Sequence, residues 1–309
     1  MNRTHPEILV AGPSPAVQRR MVFDALRPGS VNRAATVEVF ASGKGVNAAR
    51  AATRLGGRVE ALLVLGGDTG DWMRKRLLEE GIAVAAAAAP DATRTCVTLL
   101  DEANGTATEL VENAGPASVD TFAEYWRLFE HRIARTAVLL CIGTLPAAFP
   151  EDTYARMVAR ARECGARTVV DAQGEVLRLA CAAGCDVAKP NRRELAQALG
   201  RALPPDDACR ELLAWGAGAA VVSDESGPVT VRDASGCRAV RPPVVRAANP
   251  IGSGDTMAGV LALELARGQD LDTALVRAVA AASSNAAGMG YGRVDPDDCR
   301  RMVALVTRA

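Results

Sequence analysis

Ala248-Asn249-Pro250-Ile251-Gly252-Ser253-Gly254-Asp255-Thr256-Met257-Ala258-Gly259 is the stretch whose reading decides the fold. A Gly-Ser-Gly turn feeds directly into a helix expected over Asp255–Arg267. The first turn of a helix carries unpaired N–H groups and a partial positive charge, so it attracts anions. Glycines let that backbone approach a phosphate closely. Asp255 has two readings. It caps the helix, or it is a base beside an anion hole, taking a hydroxyl proton while the amides stabilise a transferring phosphoryl group. No GxxxxGK[ST] occurs, so this is not a Walker A loop. It is not a GxGxxG fingerprint either, because Met257 stands where the last glycine would.

Outward from this stretch, short β-prone runs alternate with amphipathic ones. Strands are expected at Ile8–Val10, Val37–Phe40, Val59–Leu65, Cys96–Leu100, Ala137–Cys141, Thr168–Asp171, Asp186–Ala188, Ala219–Ser223 and Val229–Arg232. Helices are expected at Val46–Leu55, Trp72–Glu80, Val119–Arg132, Glu151–Glu163, Arg192–Leu199, Asp206–Trp215, Asp255–Arg267 and Leu271–Met289. Gly56, Gly81, Gly165, Gly200, Gly216 and Gly268 follow helices as C-terminal stops. From about residue 137 the order is β then α, repeatedly, which predicts a parallel sheet covered by helices on both faces. Ligands then gather at the carboxyl ends of the strands. Two segments break the rhythm, Gly12–Phe40 and Cys96–Val111. The second reads as a hairpin turning at Asn104-Gly105 in a type I′ turn. The run Ala83–Ala89 is apolar but short.

The 309 residues are 49% hydrophobic and 23% charged, which excludes disordered and collagen-like classes. Lys plus Arg and Asp plus Glu are 36 each. No basic footprint for nucleic acid or an anionic membrane is visible. No stretch approaches the ~20 apolar residues that span a bilayer. Met1–Glu7 is polar and Ile8–Val10 too brief for a signal peptide, so the expected location is cytoplasmic. No linker or repeat divides the chain, and one domain over 1–309 is expected. The eight cysteines include no CxxC pair, and there are two histidines, His5 and His131. That disfavours a zinc site or a Cys–His nucleophile and suits reduced core thiols.

A second glycine-rich entry to a helix reads Ala41-Ser42-Gly43-Lys44-Gly45-Val46-Asn47. On its own, Gly-Lys-Gly is equally a surface turn. Taken together, Ser42–Asn47 and Asn249–Asp255 resemble the two signatures of the PfkB family of ribokinase-like sugar kinases. Thr93-Arg94, Thr108-Glu109-Leu110, Asn113-Ala114-Gly115-Pro116, Gly143-Thr144-Leu145-Pro146, Asp171-Ala172-Gln173-Gly174-Glu175 and Lys189-Pro190-Asn191-Arg192-Arg193-Glu194 follow in the family's order. The resemblance covers nearly the whole chain. With Val31-Asn32-Arg33 it is strongest for the 1-phosphofructokinase and tagatose-6-phosphate kinase branch.

The resemblance implies an α/β three-layer ribokinase-like sandwich, with a central mostly parallel sheet. A small β lid would be built from parts of 12–40 and 96–111. It implies ATP and Mg²⁺ as cofactors, a sugar or sugar phosphate as partner, and a homodimer through the lid. Asp255 would be the base, and Gly252, Ser253 and Gly254 the anion hole. Gln18, Gly43, Lys44, Asn47, Arg94 and Glu109 would face the substrate. Arg suits a phosphate because its planar fork binds two oxygens. Lys189 would reach the ATP phosphates. Asn191 and Glu194 match an NxxE motif that organises Mg²⁺, largely through water; Glu194 is otherwise a first-turn acid beside an Asn191 N-cap. Adenine would sit between the Ser223–Pro228 turn, with Ser223 and Gly227, and the helix near Asn285.

Departures cluster on the acceptor side. Gln18 stands where the family usually has Asp, Ile142 where it has Ser, Cys96 where it has Asn, and Gln173 where it has Ser. The turn Ser223-Asp224-Glu225-Ser226-Gly227 lacks one usual Gly. The phosphoryl-transfer residues are intact. The chain therefore reads as a phosphosugar kinase with an altered acceptor pocket. The alternatives are a kinase of a free sugar or nucleoside, and a silent sugar-binding relative, against which the retained Asp255 argues.

Overall fold

The computed structural model describes residues 7–115 and 117–308; His5 and Pro116, named above, lie outside them. The chain begins with β1 (Ile8–Ala11), β2 (Ala16–Phe23), β3 (Thr36–Ser42), α1 (Lys44–Arg54), β4 (Val59–Leu65), α2 (Gly67–Glu79), β5 (Ala83–Ala88), β6 (Thr95–Asp101) and β7 (Thr106–Val111). It continues with α3 (Val119–Ile133), β8 (Val138–Ile142), α4 (Thr153–Glu163), β9 (Arg167–Asp171), α5 (Gly174–Ala182), β10 (Val187–Ala188), α6 (Arg192–Leu199) and α7 (Pro205–Ala214). It ends with β11 (Ala219–Val222), β12 (Val229–Asp233), β13 (Gly236–Arg241), α8 (Ser253–Ala266), α9 (Leu271–Ala287), α10 (Pro296–Val303) and β14 (Thr307–Arg308).

The main sheet has ten strands in the order β14-β13-β12-β11-β10-β9-β8-β1-β4-β5. From β11 to β5 every pairing is parallel, and β12, β13 and β14 add an antiparallel edge. β1 explains why such a sheet needs helices on both faces. Ile8 and Val10 belong to one apolar cluster with α1, α8 and α9, whereas Leu9 and Ala11 belong to another with α3, α4, α5 and α7. Successive side chains point to opposite faces, so a fully apolar strand must be covered twice. α8 is apolar all round and is buried beneath its neighbours, as such helices are.

A second sheet of four strands, in the order β3-β2-β6-β7, is made from the two segments that broke the rhythm. β2 pairs antiparallel with β3 and parallel with β6, and β6 pairs antiparallel with β7. One face, with Gln18, Phe40, Cys96 and Thr98, is buried. The other carries Met21, Val37, Val39, Val97, Leu99 and Leu110 and is open to solvent or only partly covered.

Several expectations change. The Asn104-Gly105 turn is not type I′. That type needs positive φ at both central residues, and only Gly105 has it, at 61°. Asp101 pairs with Thr106, leaving a four-residue loop, and the Asp101 carboxylate accepts from Asn104 Nδ2 at 2.8 Å. Ala83–Ala88 is a strand, because hydrogen bonding to β4 outweighs alanine's helix propensity. β13, β14, α5 and α10 form where neither a strand nor a helix was expected, and β2 forms within the segment 12–40 expected to contribute to the lid. Among the cysteines, Cys237 is exposed and Cys164 half-buried, while the other six are buried as expected. All six glycines expected to end helices have positive φ.

Candidate active site

The chain order reverses at β1, which lies between β8 and β4. Such a switch leaves a crevice at the strands' carboxyl ends. The loops after β1, β8, β9 and β10 deliver residues there, and α1 and α8 begin beside it. Gly12, after β1, and Gly45, in α1, face each other so closely that a Cβ on Gly45 would lie 2.8 Å from Gly12 Cα. Absence of both side chains brings the start of α1 onto the end of β1.

At the start of α8, Gly252 is the N-cap, with φ 80°. A side chain there would be strained, and its Cβ would lie 3.0 Å from Tyr291 Cα. Asp255 makes no capping bond. Its carboxylate accepts instead from Asn47 Nδ2 at 2.9 Å, across 208 residues of sequence. Asn47 is itself oriented by Ser42, whose hydroxyl donates to Asn47 Oδ1 at 3.1 Å. Asp255 is buried, and burial pushes its pKa up to about 6, opposed by the nearby Lys44 ammonium and the Asn47 hydrogen bond. It is thus mostly ionised at neutral pH yet close enough to titration to take a proton.

Of the amides expected to bind an anion, that of Ser253 is turned inward, donating to Pro250 O at 3.1 Å. The amides of Gly252 and Gly254 have no partner among the described residues. Asn285, expected near the nucleotide, bonds the turn that opens α8. Its Nδ2 donates to Ile251 O and Ser253 Oγ, both at 3.0 Å, and its Oδ1 accepts from Gly292 N at 2.8 Å. Fully buried, it holds the turn from behind.

Lys44 is partly exposed, with 36% of its side chain accessible, and is engaged by carboxylates. Its Nζ is 2.7 Å from Glu194 Oε1 and 3.8 Å from Asp171 Oδ1. Burial alone would lower its pKa, but the carboxylates of Asp171, Asp255 and Glu194 hold it above the usual range. Lys189, 1% exposed, lies 2.9 Å from Asp171 Oδ2. Asp171 therefore joins two lysines, a role the sequence reading did not assign. The available signal was an acid closing a parallel strand, β9. Asn191 and Glu194 form a capping box on α6: Asn191 Oδ1 accepts from Glu194 N at 2.8 Å, and Glu194 Oε2 from Asn191 N at 3.5 Å. The first-turn reading of Glu194 holds, and its other oxygen meets Lys44. Ser223 bridges Asn191 as a short parallel pair, and Gly227 N closes the next turn on Asp224 O at 2.6 Å.

A cleft of about 180 Å³ opens beside Lys44, lined also by Arg94, Ile142 and Thr144. The Ile142 side chain is buried, so the loop offers its backbone and Thr144 there. Arg94 spends three donors on the carbonyls of Ser14, Pro15 and Glu112; of the five it carries, two remain. Gln18 is buried, with Nε2 donating to Thr98 Oγ1 at 2.9 Å. Glu109 pairs with Thr98 across β6 and β7, on the same face. Gly43, at φ 106°, packs against Pro15 and starts α1.

The family model for pfkB family carbohydrate kinases matches residues 16–297. The chain belongs to the PfkB family. Its sequence is 32% identical to the ATP-dependent 6-phosphofructokinase isozyme 2 of Escherichia coli K12 over 284 residues, 88% of this chain and 90% of that one. It is 35% identical to the 1-phosphofructokinase of Rhodobacter capsulatus over 275 residues, 84% and 85% of the two chains. The crystal structure of E. coli phosphofructokinase-2 in complex with potassium superposes with TM-score 0.89 at 28% identity, covering 97% of this chain and 98% of that one. The ribokinase-like sandwich expected above is therefore the fold, and this PfkB protein is a carbohydrate kinase. No described helix is long and apolar enough to cross a membrane.

Proposed function

We propose that this PfkB protein transfers the γ-phosphoryl group of ATP to a hydroxyl of a sugar phosphate of the fructose 1-phosphate, fructose 6-phosphate or tagatose 6-phosphate type. The observation that carries the reading is the Asp255 carboxylate, buried at the start of α8 and held by Asn47. With Oδ2 taken by Asn47, Oδ1 is left for the acceptor hydroxyl. The hydroxyl oxygen attacks the γ-phosphorus as its proton passes to Asp255, and the bond to the ADP oxygen breaks. The Gly252 and Gly254 amides and Lys189 oppose the charge that develops.

Among the described residues no group of three or more His, Cys, Asp or Glu could cage a metal. That suits Mg²⁺, which keeps most of its waters and takes one or two carboxylates plus nucleotide phosphates. Glu194, with Asn191 behind it, would hold it through water, and the ion would neutralise phosphate charge. Asn285 acts by positioning the turn, and Ser223 and Gly227 border the adenine. Lys44 and the two spare donors of Arg94 favour a phosphorylated acceptor in the cleft. The small sheet closes over the acceptor as a lid and excludes water. Its apolar outer face pairs with that of a second copy in a homodimer, which light scattering after gel filtration would test.

The deciding assay is ADP release with MgATP against the three sugar phosphates, their free sugars and a few nucleosides, with Asp255→Asn as the blank. Turnover with a phosphosugar, lost by orders of magnitude in the variant, is expected. Turnover only with a free sugar or nucleoside would mean that Gln18 and Ile142 define a different acceptor. Near-wild-type turnover in Asp255→Asn would sink the base assignment.

A further inference from the structure

Gly290, Tyr291 and Gly292 are three consecutive left-handed residues, with φ 74°, 57° and 78°. Tyr291 is one of two non-glycine residues with positive φ among those described. Glycine would adopt this backbone without strain, so the tyrosine side chain must offset what its Cβ costs. It is 1% exposed and reaches two parts of the molecule. On one side is the small sheet: its hydroxyl lies 3.1 Å from Thr98 Oγ1, which accepts from Gln18, and its ring meets Phe40 edge-on at 4.7 Å. Two residues on, Arg293 stacks over Phe40 at 4.2 Å. On the other side is the turn that opens α8. Tyr291 N donates to Ile251 O at 2.8 Å, and its Cα fills the space where Gly252 lacks a side chain. Its carbonyl accepts from Arg50 Nη1 at 2.8 Å, and Arg50 also donates to Ala41 O at the root of β3.

We infer that Tyr291 is a positioning residue that couples the seating of the small sheet to the alignment of the Gly252–Asp255 turn, through the chain Gln18–Thr98–Tyr291. The inference rests on the kinase reading above. A sheet seated on Tyr291 holds the turn in place and keeps water out. When Thr98 lifts away, the turn loosens and water competes for the γ-phosphoryl group.

The test uses Tyr291→Phe and Thr98→Val, each removing one partner of the same hydrogen bond with little change in volume, and the double variant. ADP and sugar product are measured separately. Each single variant should lower kcat about tenfold and release ADP in excess of product. The double variant should be no worse than the worse single one. A purely structural role would lower the melting temperature and leave the one-to-one ratio intact. Wild-type kcat and ratio in Tyr291→Phe, or multiplicative losses in the double variant, would overturn the coupling. A second arm needs no acceptor. Amide hydrogen exchange over residues 250–256 should quicken several-fold in Thr98→Val, although residue 98 lies in the small sheet. Unchanged exchange overturns the coupling whatever the enzyme accepts; quickened exchange in a protein without kinase turnover supports it and counts against the kinase reading alone.

Discussion

Asp255→Asn should make the protein more stable at neutral pH while abolishing its chemistry. Burial lifts the Asp255 pKa from an ordinary 3.8 to about 6. The folded state therefore holds this proton more tightly than the unfolded chain. Its contribution to stability is complete below about pH 3.8 and is lost as the pH rises through about 6. At 1.36 kcal/mol per pH unit, the ionised carboxylate costs the fold about 3 kcal/mol at pH 7.5. Asparagine cannot ionise and incurs none of this, while its carbonyl can still accept from Asn47. Lys44 keeps Glu194 at 2.7 Å, so no ammonium is stranded. Urea unfolding of both proteins from pH 5 to 7.5 isolates the effect, because every other titrating group is common to the two. The stability gap should widen in favour of the variant by about 1.5 kcal/mol over that range. A gap that stays constant with pH, or a variant that is the less stable at pH 7.5, would refute the idea that Asp255 is held ionised against its surroundings.

Asp171→Asn should destabilise the fold by about 3–5 kcal/mol, since it removes the carboxylate paired with the buried Lys189; a urea midpoint shift worth under about 1 kcal/mol would mean that water or the nearby Asp255 compensates. Asn47→Leu should move the acid limb of the kcat/KM–pH profile above about 6, because the hydrogen bond that lowers the Asp255 pKa is gone. A limb that stays put would remove Asn47 from the control of the base.

Much of the site was legible because its backbone conformations demand particular residues. Gly252 and Gly43 sit at φ 80° and 106°, and both stood out as glycines feeding helices. β4 and α6 have the bounds expected of them, since a sustained apolar run and a capping pair are local signals. Ala83–Ala88 was not legible: alanine alone does not distinguish strand from helix, and the neighbouring strand decided. Asn104-Gly105 misled because Asp101, three residues earlier, captures Asn104 and lengthens the loop. Tyr291 and Arg50 carried no signal, since their partners lie 193 and 241 residues away in sequence.

The sequence by itself determined the βα alternation, the two glycine-led helix starts and the carboxylate beside one of them. Those follow from local sterics and periodicity, which act within a few residues. The tertiary structure alone decided which of these groups meet. It set Asp171 between Lys44 and Lys189, turned the Ser253 amide inward, gave Asn285 to the turn, and lodged Tyr291 between the small sheet and the start of α8. Ion pairing, hydrogen bonding and desolvation depend on distance and on the exclusion of water, and neither exists until the chain has folded.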